Sequence, residues 1–161
     1  MSTTKDLKII RYGTQDGHQP TSQPIQSGVS LYAGQVAVTR AGYLIQPDTA
    51  VQSTDLCWGV LNGIVDSAPV SASPWAGGTT AGLHFSEIDT GSFWLTPGAD
   101  ADALTQADVG NDVYLIDGNT VGKTDGTATR PIAGKLDKLG TGQYSGLVAV
   151  LIGNSQSTGS P

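Results

Sequence analysis

The sequence predicts an all-β protein: a small β-barrel or β-sandwich with one short helical turn and an extended N-terminal arm. Three observations lead there. The 161 residues include 22 Gly and 8 Pro, the two poorest helix formers. Charged residues are only 14% of the chain, against about 25% in an average domain, and the polar remainder is Ser, Thr, Asn and Gln, which suits turns. The apolar residues come in short runs of β-prone type, each bounded by a turn signal, with no stretch long enough for a bundle helix.

Residues 1–27 are polar and broken by Gly13, Gly17, Pro20 and Pro24. Only Leu7-Lys8-Ile9-Ile10 has strand character there, so this part reads as an arm, disordered or ordered by a neighbour. A β-rich domain follows over 28–152. Val29–Tyr32, Gln35–Val38 and Gly42–Ile45 are short strands with turns at Ala33-Gly34 and Ala41-Gly42. Cys57–Val65 is a strand interrupted by Gly59 and Gly63, and a Ser, Ala, Pro and Gly loop runs from Asp66 to Gly82. Leu83–Phe85 and Ser92–Leu95 are strands. Thr105-Gln106-Ala107-Asp108 offers an N-cap and an acid in the first turn, enough for one turn of helix. Asp112–Ile116 and Thr120-Val121 form the clearest hairpin, in which Asp117-Gly118-Asn119 is expected to supply positive φ angles. Pro131–Leu136 and Gly146–Ile152 complete the set, and Gly153–Pro161 is a polar tail.

A faint internal echo runs through this order. Gly34 and Gly42 are spaced like Gly110 and Gly118, and Gly59 and Gly134 follow 25 and 24 residues after the first of each pair. It is either a duplicated β-unit or the monotony of glycine-punctuated strands; the second is the reading taken from sequence.

The formal charge of -6 is unevenly spread. No Lys or Arg lies between Arg40 and Lys123, where ten acids fall, while the flanking segments are each net positive. An acidic middle repels phosphate, so nucleic acid is not an expected partner. Cys57, the lone cysteine, lies in an apolar run and reads as a small core residue. MSTTKDLKII lacks the apolar stretch of a signal peptide, and no segment approaches the ~18 apolar residues of a membrane helix. A protein made in a reducing compartment, away from membranes, is expected.

The motifs that carry chemistry are few. Gly122-Lys123-Thr124 ends like a phosphate-binding loop, but Asp117 stands where that loop needs its first glycine. Asp89-Thr90-Gly91-Ser92 resembles the signature of aspartic proteases, in which one Asp shares a proton with a second and activates water. Leu151-Ile152-Gly153 loosely matches the apolar element bracing that loop in retroviral-type dimers, and Asp89 would then need a twin from a symmetric dimer. That fold continues into a helix after the glycine, whereas this chain continues in Ser, Thr, Gly and Pro. His18, His84, Cys57 and Glu87 form no metal set, and Asp100-Ala101-Asp102 with Asp108 lacks the donor spacing of a calcium loop. Ser145 in Gly142–Gly146 falls one residue short of a nucleophile elbow. No catalytic residue, metal or cofactor is expected. Among the aromatics, Trp58 and Trp94 read as core, while Trp75 in Pro74–Gly78 is the candidate exposed contact for a protein or a sugar.

Leu31–Val38 followed by Gly42–Pro47, and more closely Leu104–Asp117, Thr120-Val121, Ile132–Leu136 and Gly146–Val150, resemble the progression of strands in tailed-bacteriophage capsid decoration (cement) and head-fibre proteins. The resemblance covers roughly residues 28–152 and rests on fold-level strand and turn signals. It implies a non-enzymatic virion protein that binds the major capsid protein on the outer shell surface and stabilises it. It further implies a homo-oligomer, trimer or dimer, made in the host bacterial cytoplasm. The arm is then the capsid-binding element: Ile9 and Ile10 add a strand to a shell subunit's sheet edge, and Lys5, Lys8 and Arg11 steer it to an acidic surface. The alternatives are a carbohydrate-binding fibre or tail module using Trp75 and, remotely, the Asp89 protease.

Overall fold

The computed structural model describes residues 21–48, 50–66, 75–76 and 78–153. They form twelve strands and three one-turn 3-10 helices, with no α-helix among them, so the all-β expectation holds. In chain order the strands are β1 (Thr21–Pro24), β2 (Ser30–Leu31), β3 (Val36–Arg40), β4 (Tyr43–Ile45), β5 (Leu56–Asp66), β6 (Trp75–Ala76), β7 (Phe85–Asp89), β8 (Gly91–Pro97), β9 (Asp112–Asp117), β10 (Thr120–Gly122), β11 (Ile132–Leu139) and β12 (Val148–Ile152). The 3-10 turns are η1 (Asp100–Asp102), η2 (Gln106–Asp108) and η3 (Gly142–Tyr144).

The second half closes into a barrel in the order β10-β8-β12-β11-β9, sealed by the parallel pairing of Thr120 and Val121 with Thr96 and Pro97. The first half is a five-stranded sheet in the order β1-β7-β5-β3-β4, whose edges meet at a single parallel bridge from Ile25 to Leu44. These two orders are one topology. A hairpin (β3-β4, β9-β10) pairs with a long strand (β5, β11), which pairs with a return strand (β7, β12), which pairs with the strand entering the unit (β1, β8).

The registers match residue by residue. Val60 pairs with Asp89 and Leu61 with Ile88, as Lys135 pairs with Leu151 and Leu136 with Val150. The bulge at Trp58, between Cys57 and Gly59 opposite Val38 and Ala37, recurs at Ala133, between Ile132 and Gly134 opposite Tyr114 and Val113. Gly34 N–H donates to Leu61 O and Leu61 N–H to Gln35 O; Gly110 and Leu136 repeat this with Leu136 and Asn111. Gly59 and Gly134 are demanded by the same close approach, since a Cβ would lie 2.1 Å from Asp89 O in one and 2.2 Å from Leu151 O in the other. The glycine echo in the sequence is therefore a duplicated β-unit, and the reading of it as monotony is corrected.

Two buried clusters follow from strand alternation. Ile25, Leu31, Ala37, Leu44, Leu61 and Ile88 form the first half's own interior. The second cluster joins Phe93, Leu95, Val113, Leu115, Val121, Leu136, Val148, Val150 and Ile152 to Val36, Val38, Ile45, Cys57 and Val60, the opposite faces of β3, β4 and β5. The first half thus packs its outer face onto the second.

Several sequence expectations change. Thr21–Pro24, grouped with the arm by their polarity, are β1, and Ile25 is fully buried. Cys57–Val65 is one continuous strand, because its glycines sit at bulges instead of ending it. Trp75 lies in a two-residue strand, paired with Leu31, inside what reads as a loop. The β9-β10 hairpin stands where expected, but neither Gly118 nor Asn119 has a positive φ. Gly118 is needed for space: its Cβ would lie 2.7 Å from Asp48 Oδ1 and 2.9 Å from Gln35 Nε2. The helical turn appears as η2, with Asp108 Oδ2 accepting from the Thr105 backbone N–H and hydroxyl at 2.8 and 2.9 Å.

Candidate functional site

The two halves meet along a polar seam and an open cleft. In the seam, Gln35 is fully buried, and its amide donates to Gln46 Oε1 at 2.9 Å while its carbonyl accepts from Tyr32 N–H at 3.1 Å. Gln46 in turn donates to Ser30 O, and Asp48 Oδ1 accepts from Gly118 N–H at 2.8 Å. Val36 N–H donates to Gly118 O at 2.7 Å, so one residue of the second half's hairpin is held by both a backbone and a side-chain bond from the first. The buried amide and its partners all belong to the first half and fix its own 30–48 segment, while the two bonds to Gly118 tie that segment to the second half.

The cleft holds about 500 Å³ and is lined by Ser53–Cys57 of the first half and by Asp112, Ile132–Lys135 and Gly153 of the second. Two aliphatic side chains on its walls, Leu56 and Ile132, are 51% and 50% exposed. Arg40 forms a two-pronged pair with Asp55, Nε to Oδ1 and Nη2 to Oδ2, both at 2.8 Å. That pair raises the Arg40 pKa, with the hydrogen bond as the main cause. Asp55 Oδ2 also accepts from Gln52 N–H, which shapes the 52–55 turn at the cleft mouth. Burial, with Asp55 adding to it, pushes the Cys57 thiol up to about 12, so the cleft's sulfur stays protonated and weakly nucleophilic. Lys135 reaches Asp112 at 2.8 Å across the rim, both half exposed.

The sequence-singled residues fall in different places. Lys5, Lys8, Ile9, Ile10, Arg11 and His18 lie outside the described residues. Trp75 in β6 pairs with Leu31. Asp89 ends β7, and its Oδ1 accepts from Asn62 Nδ2 at 3.4 Å; Thr90 then leads directly into β8. Lys123 pairs with Asp108 at 3.0 Å, and Thr124 donates its N–H and hydroxyl to Asp102 Oδ1, so the Gly-Lys-Thr run is spent on loop structure. Burial alone raises the Asp102 carboxyl, but the bonds from Thr124 and Arg130 outweigh it and hold the pKa below the ordinary value. Asp108 is held low by the Thr105 N–H and by Lys123. Two of the three acids singled out there, Asp102 and Asp108, thus serve basic, hydroxyl or backbone partners, and no group of three or more His, Cys, Asp or Glu among the described residues is placed to hold a metal. Trp94 is buried and stacks on Tyr144, with ring centroids 4.6 Å apart. Trp58, read from sequence as core, is only partly buried: it packs against the first half's interior and donates its indole N–H to Thr39 Oγ1 at 2.7 Å.

Sequence reasoning missed the cleft. Its walls come from strands 75 positions apart in the chain, and their meeting depends on the duplication. The signal that pointed to it was the Gly59 and Gly134 echo. Compared with protein-family models, curated proteins and solved structures, the chain matches none.

Proposed function

We propose that this chain is a structural virion protein that binds the outside of a phage capsid and reinforces it. The observation that carries the proposal is where the resembling segments lie. Leu31–Val38 and Gly42–Pro47 build the β3-β4 unit, and Leu104–Asp117, Thr120-Val121, Ile132–Leu136 and Gly146–Val150 build its repeat, so the likeness falls on the duplicated framework itself. A two-unit framework that spends its acids and hydroxyls on internal bonds suits a clamp on a repeating surface. Residues 1–20 precede β1, which among the described residues has β7 on one side and on the other the bridge at Ile25. Lys5, Lys8 and Arg11 give this segment the charge to approach an acidic shell, and Ile9 and Ile10 the β-propensity to extend a sheet there. Several weak contacts in a trimer or dimer sum by avidity.

Co-sedimentation with matched undecorated capsids tests this, with size exclusion of the free protein alongside. Saturable binding at a fixed copy number per capsomer is expected; absence of binding overturns the proposal. Deleting residues 2–20 leaves β1 intact and is expected to abolish binding, and retained binding would refute the arm's role.

A further inference from the structure

Among the described residues, the cleft between the halves carries two strand edges that no strand pairs with. Leu56–Gly59 pair with β3 on one side, and β7 joins β5 only from Val60 onward. Ile132–Gly134 pair with β9 on one side, and β12 joins β11 only from Lys135 onward. These are equivalent stretches of the two units, each at its bulge; Leu56 and Cys57 of the first and Ile132–Gly134 of the second line the same cleft. An unpaired edge offers backbone N–H and C=O groups to another strand, and proteins ordinarily cover such an edge. Leu56 and Ile132, half exposed beside these edges, add apolar surface that an extended segment with alternating aliphatic residues would bury.

We propose that the cleft is the seat of this chain's own N-terminal segment, with Leu7–Ile10 lying as a short strand between Leu56 and Ile132. Position, composition and reach each support that occupant. β1 runs antiparallel to β7 with Thr21 beside Ile88, so the chain preceding Thr21 enters on the side of Val60 and the 56–59 edge. Counting five residues along β5 at about 3.3 Å each and two strand spacings of about 4.8 Å, Thr21 lies roughly 20 Å from Leu56. The eleven residues from Ile10 to Thr21 can extend to roughly 36 Å, which is ample. Outside the described residues, Leu7–Ile10 is the one run with several aliphatic side chains. The inference does not rest on the capsid reading; a shell sheet and the cleft would compete for one segment.

Cross-linking in the full chain, without capsids, tests it. Ile9→Cys combined with Ile132→Cys should form an intrachain disulfide under mild oxidation, while Ile9→Cys with the equally exposed Leu83→Cys should not. Cys57 stays out of the exchange because its thiol is buried and protonated. Equal cross-linking to both positions, or none to Ile132, overturns the proposal; cross-linked dimers alone overturn it in favour of exchange between copies. As a second readout, Ile132→Asp alters a half-exposed side chain and should leave the fold intact. It should speed tryptic cleavage after Lys8 and Arg11 roughly tenfold, the effect of losing one partly buried aliphatic contact. Unchanged cleavage contradicts the seat.

Discussion

The two halves share one topology and one register but not one interior. Where the second unit places Phe93, Leu95, Leu115 and Val148, the first places Thr21, Gln23, Thr39 and Ser86 at the matching positions. Trp58 at the first bulge, opposite Ala133 at the second, returns part of that volume and gives Thr39 its hydrogen bond. The second unit seals with a two-residue parallel ladder and the first with one bridge. Each fully buried aliphatic or aromatic side chain contributes about 1.5–3 kcal/mol, so these exchanges leave the first unit several such contributions short. It makes up for them on its outer face, where Val36, Val38, Cys57 and Val60 are buried with the second unit's core; the matching residues there are Asp112, Tyr114, Ile132 and Lys135, none of them buried. One backbone plan is thus used twice, once as a closed barrel and once as a barrel completed by its twin.

The largest expected effect comes from emptying equivalent core positions. Leu136→Ala should cost about 4 kcal/mol and unfold the chain as a whole, while Leu61→Ala should cost about 2 kcal/mol, measured by chemical denaturation. Equal costs would mean that the two interiors are equally tight. Next come the matched glycines: Gly134→Ala forces a Cβ against Leu151 O and should cost about 3 kcal/mol. Gly59→Ala meets Asp89 O in the same way but should loosen the first half before the second, which thermal melts followed at Trp58 and Trp94 would separate.

Much of this plan was legible in the sequence, and what was not has identifiable causes. β3, β4, β9, β10 and β12 announce themselves by alternating or continuous aliphatics between Gly turns. β1 does not, because Thr-Ser-Gln-Pro carries no apolar signal; its apolar counterpart is Phe93–Thr96 in β8. The strand is held by register to β7 and by the burial of Ile25, which a local pattern cannot reveal. β7 was legible only at its start, since Glu87 and Asp89 alternate outward from Ser86 and Ile88. The cleft was illegible for a different reason: its unpaired edges exist only where two return strands stop one residue short of a bulge.

Smaller effects sharpen the comparison at the surface. Arg40→Ala leaves the buried Asp55 carboxylate without its cation and should cost about 2 kcal/mol, whereas Lys135→Ala at the exposed rim should cost under about 1 kcal/mol. Acid should act first on the second half's loops. The Asp102 and Asp108 carboxyls are held below their unfolded values, so their stabilisation is whole above the unfolded pKa of about 3.9 and is lost as pH falls through the folded values. Asp102→Asn should remove part of that acid dependence in pH-resolved melts; an unchanged profile would place the sensitivity elsewhere.

The most direct test of the duplicated but unequal pair is native-state hydrogen exchange at two equivalent amides. Leu61 N–H donates to Gln35 O at 2.9 Å, and Leu136 N–H donates to Asn111 O at 3.0 Å, in matching places of the two units. Leu136 should exchange only by global unfolding, and Leu61 through a lower-energy opening of the first half, at least roughly tenfold faster. Equal protection at both, or slower exchange at Leu61, would contradict the account.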